Sequence, residues 1–143
     1  MRNTLEDFDI KAAPEEAIVS IVDRLTLSVF GTHSLSAPDR RGTLILTNLR
    51  VIALSGPSSK PHHYCFFLIH RFTSYMETKP FQTGGLLSYV VEYKAEMGFL
   101  DESKIIIETG LNVQKSSVED YIEAAKPISN LLFEAFCLSI RKF

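Results

Sequence analysis

Tryptophan is absent from this 143-residue chain, and cysteine occurs only at Cys65 and Cys137. The two cysteines lack CxxC spacing and sit in apolar stretches, which favours buried, reduced thiols in a cytosolic protein over a disulfide. Excess charge of either sign is also missing, because 15 basic and 17 acidic residues leave a net charge of −2. No global field draws the chain to nucleic acid or to an anionic membrane, so any anion site must be a local patch. Without a basic stripe or an RNA- or DNA-binding signature, nucleic-acid binding is the least supported class. The longest apolar runs, such as Leu131-Leu132-Phe133, are far too short to span a bilayer. Residues 1–7 have no apolar core of the kind a signal peptide requires. No internal repeat, low-complexity tract or second domain is visible.

A catalytic constellation is missing as well. The sequence contains no GxSxG, HExxH, P-loop or GxGxxG motif. His33, His62, His63 and His70 are the general-base candidates, but none has a nucleophile and an orienting acid in a recognisable pattern. His62, His63 and Cys65 resemble a metal set only superficially, since a fourth ligand and zinc spacing are lacking. The expectation is a protein without catalytic residues, cofactor or metal.

What remains is a folded domain: 45% of residues are hydrophobic and 22% charged, in a length that buries a real core. Residues 1–13 are mixed and polar, with Leu5, Phe8 and Ile10 as apolar anchors for a loose arm or a short docked element. A single domain is expected over residues 14–143. Val19, Ile21, Leu25, Leu27 and Val29 share one parity, which reads as a half-buried strand bent near Asp23-Arg24. Residues 43–46 and 50–54 form two β-rich runs around Thr47-Asn48-Leu49, a hairpin on a half-buried surface. Gly42 leaves room for a bend or a close neighbouring backbone. Strand-like runs follow at 64–69, 72–76, 86–93 and 104–108, with loops at 55–61 and 79–85 and a turn region at 96–103. Ser116 and Glu119 offer a capping box for a helix over about 117–141, which Pro127 should kink or divide. Its apolar face is read as Val118, Ile122, Ala125, Ser129, Leu132 and Phe136.

The stretch Gly42-Thr43-Leu44-Ile45-Leu46-Thr47-Asn48-Leu49-Arg50-Val51-Ile52 resembles the G-T-L-x-[LV]-T-[NST]-x-R-[VIL]-[IW] hairpin of GRAM-type and related pleckstrin-homology-like (PH-like) domains. That group includes the membrane-targeting domains of myotubularins and the ubiquitin- and lipid-binding GLUE domain. The resemblance implies a mainly β fold, a seven-stranded antiparallel sandwich or barrel capped by one C-terminal helix. It implies a cytoplasmic, non-catalytic module, peripheral to membranes, that recruits a protein or complex in trafficking through phosphoinositide or protein contacts. In lipid binders of this group, loop Lys and Arg residues hold the headgroup phosphates, with Arg favoured for its forked donors. The corresponding candidates here are Arg40, Arg41, Lys60, His62 and His63, against which stand a nearby Asp39 and the missing K-x(n)-[KR]-x-R arrangement. Thr47 and Arg50 have a structural explanation too, since such a pair beside a turn can tie the hairpin together.

The alternative is an interaction or oligomerisation subunit without lipid affinity. The helix tail, residues 131–140, is apolar around more than one face, so Leu131, Phe133 and Leu138 are candidates for a protein partner or self-association. Deeper burial of the helix, or cover from Phe8 and Ile10, explains the same residues. Phe81 or Phe99-Leu100, read as loop residues, are further candidates for insertion into a membrane.

Overall fold

The two β-rich runs around Asn48 lie inside an eight-stranded antiparallel sheet in a computed structural model of the chain. The structure describes residues 4–31, 41–55, 63–78, 81–83, 89–113 and 118–141. Its strands are β1 (Ile18–Phe30), β2 (Arg41–Thr47), β3 (Arg50–Ser55), β4 (His63–Leu68), β5 (Phe72–Glu77), β6 (Phe81–Thr83), β7 (Tyr89–Phe99) and β8 (Lys104–Val113). A 3-10 turn at Leu5–Phe8 precedes them, another at Ile69–Arg71 joins β4 to β5, and α1 (Val118–Ile140) closes the chain. The sheet runs β4-β3-β2-β1-β8-β7-β5, with β6 paired to β7. Strands followed by one C-terminal helix is the order expected. The three-residue β6 falls in the stretch read as a loop and raises the strand count to eight. β7 and β8 are longer than their apolar runs suggested, because Lys94, Glu96 and Glu108 keep the ladder while alternate residues face the core.

β1 is shared between the two halves of the sheet, pairing with β2 through Thr26 and with β8 from Thr26 onward. The bend expected near Asp23-Arg24 is a bulge: the register against β2 shifts between Val22 and Leu25, and Arg24 takes a φ of 60°. One extra residue switches which face a side chain points to. Leu25, Leu27 and Val29 therefore enter the main core together with Val22, while Ile18 and Ile21 pack on the opposite side. The single parity read from the sequence does not survive the bulge.

The β2–β3 hairpin is buried on both faces rather than one. Leu44, Leu46, Val51 and Ala53 face the main core, and Ile45, Ile52 and Leu54 face a second cluster with Leu5, Phe8 and Ile10. Both faces of these strands are covered, which is why the sequence reads as an unbroken apolar run. The N-terminal arm is thus an integral layer of the fold. Close packing also fixes Gly42, where a Cβ would overlap the Leu54 carbonyl oxygen and sit 2.9 Å from Leu27 Cδ1.

In the main core, Phe67 of β4 stacks on Phe99 of β7 with ring centroids 4.2 Å apart, and Phe72 meets Phe99 edge-on at 5.7 Å. β4 and β7 are far apart along the sheet path, so the sheet curls until its two ends face each other. Phe99 is accordingly a core residue and not a membrane-inserting loop aromatic; its neighbour Leu100 is exposed. α1 packs over this opening through Ala125, Ile128, Leu131, Leu132 and Ala135, with Phe136 edge-on to Tyr75. The buried stripe includes Ile128 and Leu131, which the sequence periodicity had not assigned to it. The helix is not divided at Pro127, which lies on its exposed side. Ser116 of the expected capping box lies outside the described residues.

Docking of the arm predicts that Phe8→Ala lowers the free energy of unfolding by about 3 kcal/mol in urea titration. A loose arm predicts no change.

Candidate functional site

The hairpin turn is built from three polar residues that all reach into the segment before β1. Thr47 is fully buried; its Oγ1 accepts hydrogen bonds from the Leu49 and Arg50 amides at 3.1 and 2.9 Å and donates to Glu16 Oε2 at 2.7 Å. Asn48 pairs with Ala17 like a strand neighbour: its Oδ1 accepts from the Ala17 amide at 2.8 Å and its amide donates to the Ala17 carbonyl. Asn48 Nδ2 also donates to the Glu15 carbonyl at 3.1 Å. Arg50 donates through Nε to Glu16 Oε2 at 2.8 Å, and through Nη2 to Glu16 Oε1 and the Lys11 carbonyl at 3.0 and 2.9 Å.

Glu16 has no exposed side-chain surface and Arg50 retains 11%. Burial pushes the Glu16 carboxyl upward, but hydrogen bonds from Arg50, the Ala13 amide and Thr47, with the Arg50 charge, hold it below the ordinary value. Arg50 is pinned from its other side by the Phe66 ring, whose centroid lies 4.7 Å from the guanidinium carbon. With its fork occupied by Glu16 and Lys11, Arg50 is committed to structure. Thr47 Oγ1 ties the turn through the Leu49 and Arg50 amides, while the bonds to Glu16 and Lys11 tie the hairpin to the segment before β1.

The expected lipid contacts flank this hairpin. Arg40, Lys60 and His62 lie outside the described residues. Arg41 opens β2 and His63 opens β4, and the pairings Gly42 with Ser55 and Ser55 with His63 bring their backbones to one end of three adjacent strands. The turn clasp occupies the opposite end. The helix candidates separate by burial: Leu131 is fully buried in the core and is corrected from partner contact to core residue, whereas Leu138 is half-buried against the core and Phe133 is 59% exposed. α1 turns Leu131 toward the sheet and Phe133, two residues on, away from it.

Among the described residues, no group of three or more His, Cys, Asp or Glu could hold a metal ion, and no helix is long and apolar enough to cross a membrane. Cys65 and Cys137 are free and half-buried, and burial pushes the Cys65 thiol up to about 11. At neutral pH that thiol stays protonated and unreactive.

No protein-family model matches the chain, and no curated protein matches it. Among solved structures, the Vps36 N-terminal PH domain is similar, with a TM-score of 0.44 at 15% identity over 92% of this chain and 92% of that chain.

The clasp predicts a specific pH dependence. Because the Glu16 carboxyl is depressed in the fold, its contribution is complete above the unfolded glutamate pKa and disappears as pH falls through the lower folded value. Glu16→Gln should lower stability by about 3 kcal/mol at neutral pH and flatten that acid-side decline, measured by urea unfolding across pH.

Proposed function

We propose that this chain is a PH-like, GRAM-type binding module without catalytic activity, which recruits a protein or complex to membranes in trafficking through phosphoinositide contacts. The observation that carries this reading is the register of β2, β3 and β4, which gathers Arg41 and His63 at one end of the sheet. Arg40, Lys60 and His62 adjoin those two in sequence. Basic residues adjoining one sheet end in sequence supply the charge for a local meeting with an anionic headgroup although the chain as a whole is slightly acidic. The hairpin resemblance supports the same reading, and Arg50 is excluded from it by its bonds to Glu16. A second reading, a protein-interaction subunit, is favoured by exposed Phe133 on the outer face of α1.

Liposome co-sedimentation across a phosphoinositide panel, at low and physiological salt, separates the two. The lipid reading predicts selective, salt-sensitive binding that Arg40→Ala/Arg41→Ala abolishes without loss of folding. Absence of binding to every lipid contradicts it and leaves the protein-interaction reading.

A further inference from the structure

The two ends of the sheet are finished differently. β5 carries a register shift between Phe72 and Ser74, packs against α1, and holds Glu77 in a 2.9 Å hydrogen bond from Ser129. β4 lacks the register shift. Its register against β3 is unbroken from Arg50–Leu68 to Ser55–His63, and no described element pairs with its outer edge. From Tyr64 to Ile69 it contains no charged residue and no proline. Folded proteins normally blunt such an edge with lysine, proline or a bulge, because its open amides and carbonyls template another strand.

The side chains agree with the backbone. Cys65 and Phe67 turn into the core, whereas Tyr64, Phe66 and Leu68 face outward, 41%, 42% and 40% exposed. Exposed Leu49 adjoins this stripe, its carbonyl accepting from the Ile69 amide at 2.9 Å. Arg50 beneath Phe66 fixes the position of that ring, and the Arg50 charge is already neutralised by Glu16.

We infer that β4 is a self-association edge, and that its occupant is β4 of a second copy of this chain in antiparallel pairing. The pattern is self-complementary about Phe66. A twofold axis there sets Phe66 opposite Phe66, Tyr64 opposite Leu68, and Cys65 opposite Phe67 of the second copy. Each outward side chain then meets an aromatic or aliphatic partner, and no like charges face each other across the ladder. A charged partner gains nothing from an uncharged edge, whereas an identical strand satisfies it completely. The arrangement is isologous, so it closes at two copies instead of growing into a filament. The paired residues Tyr64 to Leu68 start one position after His63, at the sheet end that also carries Arg41, and a negative liposome result leaves the pairing untouched.

Sedimentation equilibrium of the full chain over a concentration series tests the pairing, with hydrogen exchange as a second readout. The wild type should pass from 16.1 kDa to twice that mass as concentration rises, with the amides of Tyr64, Phe66 and Leu68, which alternate with those bonded to β3, gaining protection in parallel. Tyr64→Lys/Leu68→Lys should remain at 16.1 kDa with an unchanged melting temperature. Should the lysine pair unfold, Tyr64→Thr/Leu68→Thr retains strand propensity and should weaken the dimer by about tenfold. A wild type that stays monomeric into the submillimolar range overturns the inference. So does a dimer that survives both β4 variants, dissociates instead with Phe133→Lys, or protects the amides of Tyr64, Phe66 and Leu68 only when liposomes or another protein are added.

Discussion

The carboxylate of Glu16 is the point on which the hairpin and the N-terminal arm converge. It accepts hydrogen bonds from Thr47, from both sides of the Arg50 fork and from the Ala13 amide, with no surface left to water. A buried ion pair is not in itself strong evidence of stability, because desolvation costs about as much as the attraction returns. Its value here is positional. Hydrophobic burial is non-directional and would accept the arm in several placements over Ile45, Ile52 and Leu54. A charge with one set of partners accepts only one.

That constraint redistributes the meaning of the hairpin's sequence. Thr47, Asn48 and Arg50 look like exposed polar residues at a turn, and a positively charged one invites assignment to an anion. All three are instead directed at residues 11–17, and they convert a polar segment into a cover for the outer face of β2 and β3. Ligand chemistry must then be sought away from the turn. Among the described residues, what the fold offers is the opposite end of β2–β4, where Arg41 and His63 open their strands, and the outer edge of β4, with which no described element pairs.

The existence of β1 as a strand, the two-strand hairpin and the C-terminal amphipathic helix were legible because each follows from local periodicity. The bulge at Arg24 was visible only as a break at Asp23, and its consequence, a change of face for Ile21 and Val22, depends on the partner strand. Two-sided burial of the hairpin could not be read locally, since the covering residues Leu5, Phe8 and Ile10 lie some forty positions away. For Leu131 the sequence left partner contact and burial both open for a related reason, and burial is what the fold shows. A helix tail apolar on several sides does not say which side meets the sheet, and Phe72, Phe99 and Tyr75 decide that from distant strands. Phe66 was legible as a strand residue, but its exposure follows from β4 being the last strand of the path.

The most direct measurement is a double-mutant cycle between the clasp and the arm, using Arg50→Met and Phe8→Ala with unfolding free energies from urea titration. If the clasp positions the arm, the double variant loses little more than the larger single loss, a coupling above about 1 kcal/mol. Additive losses would mean that the arm docks by apolar contact alone, and would contradict the account.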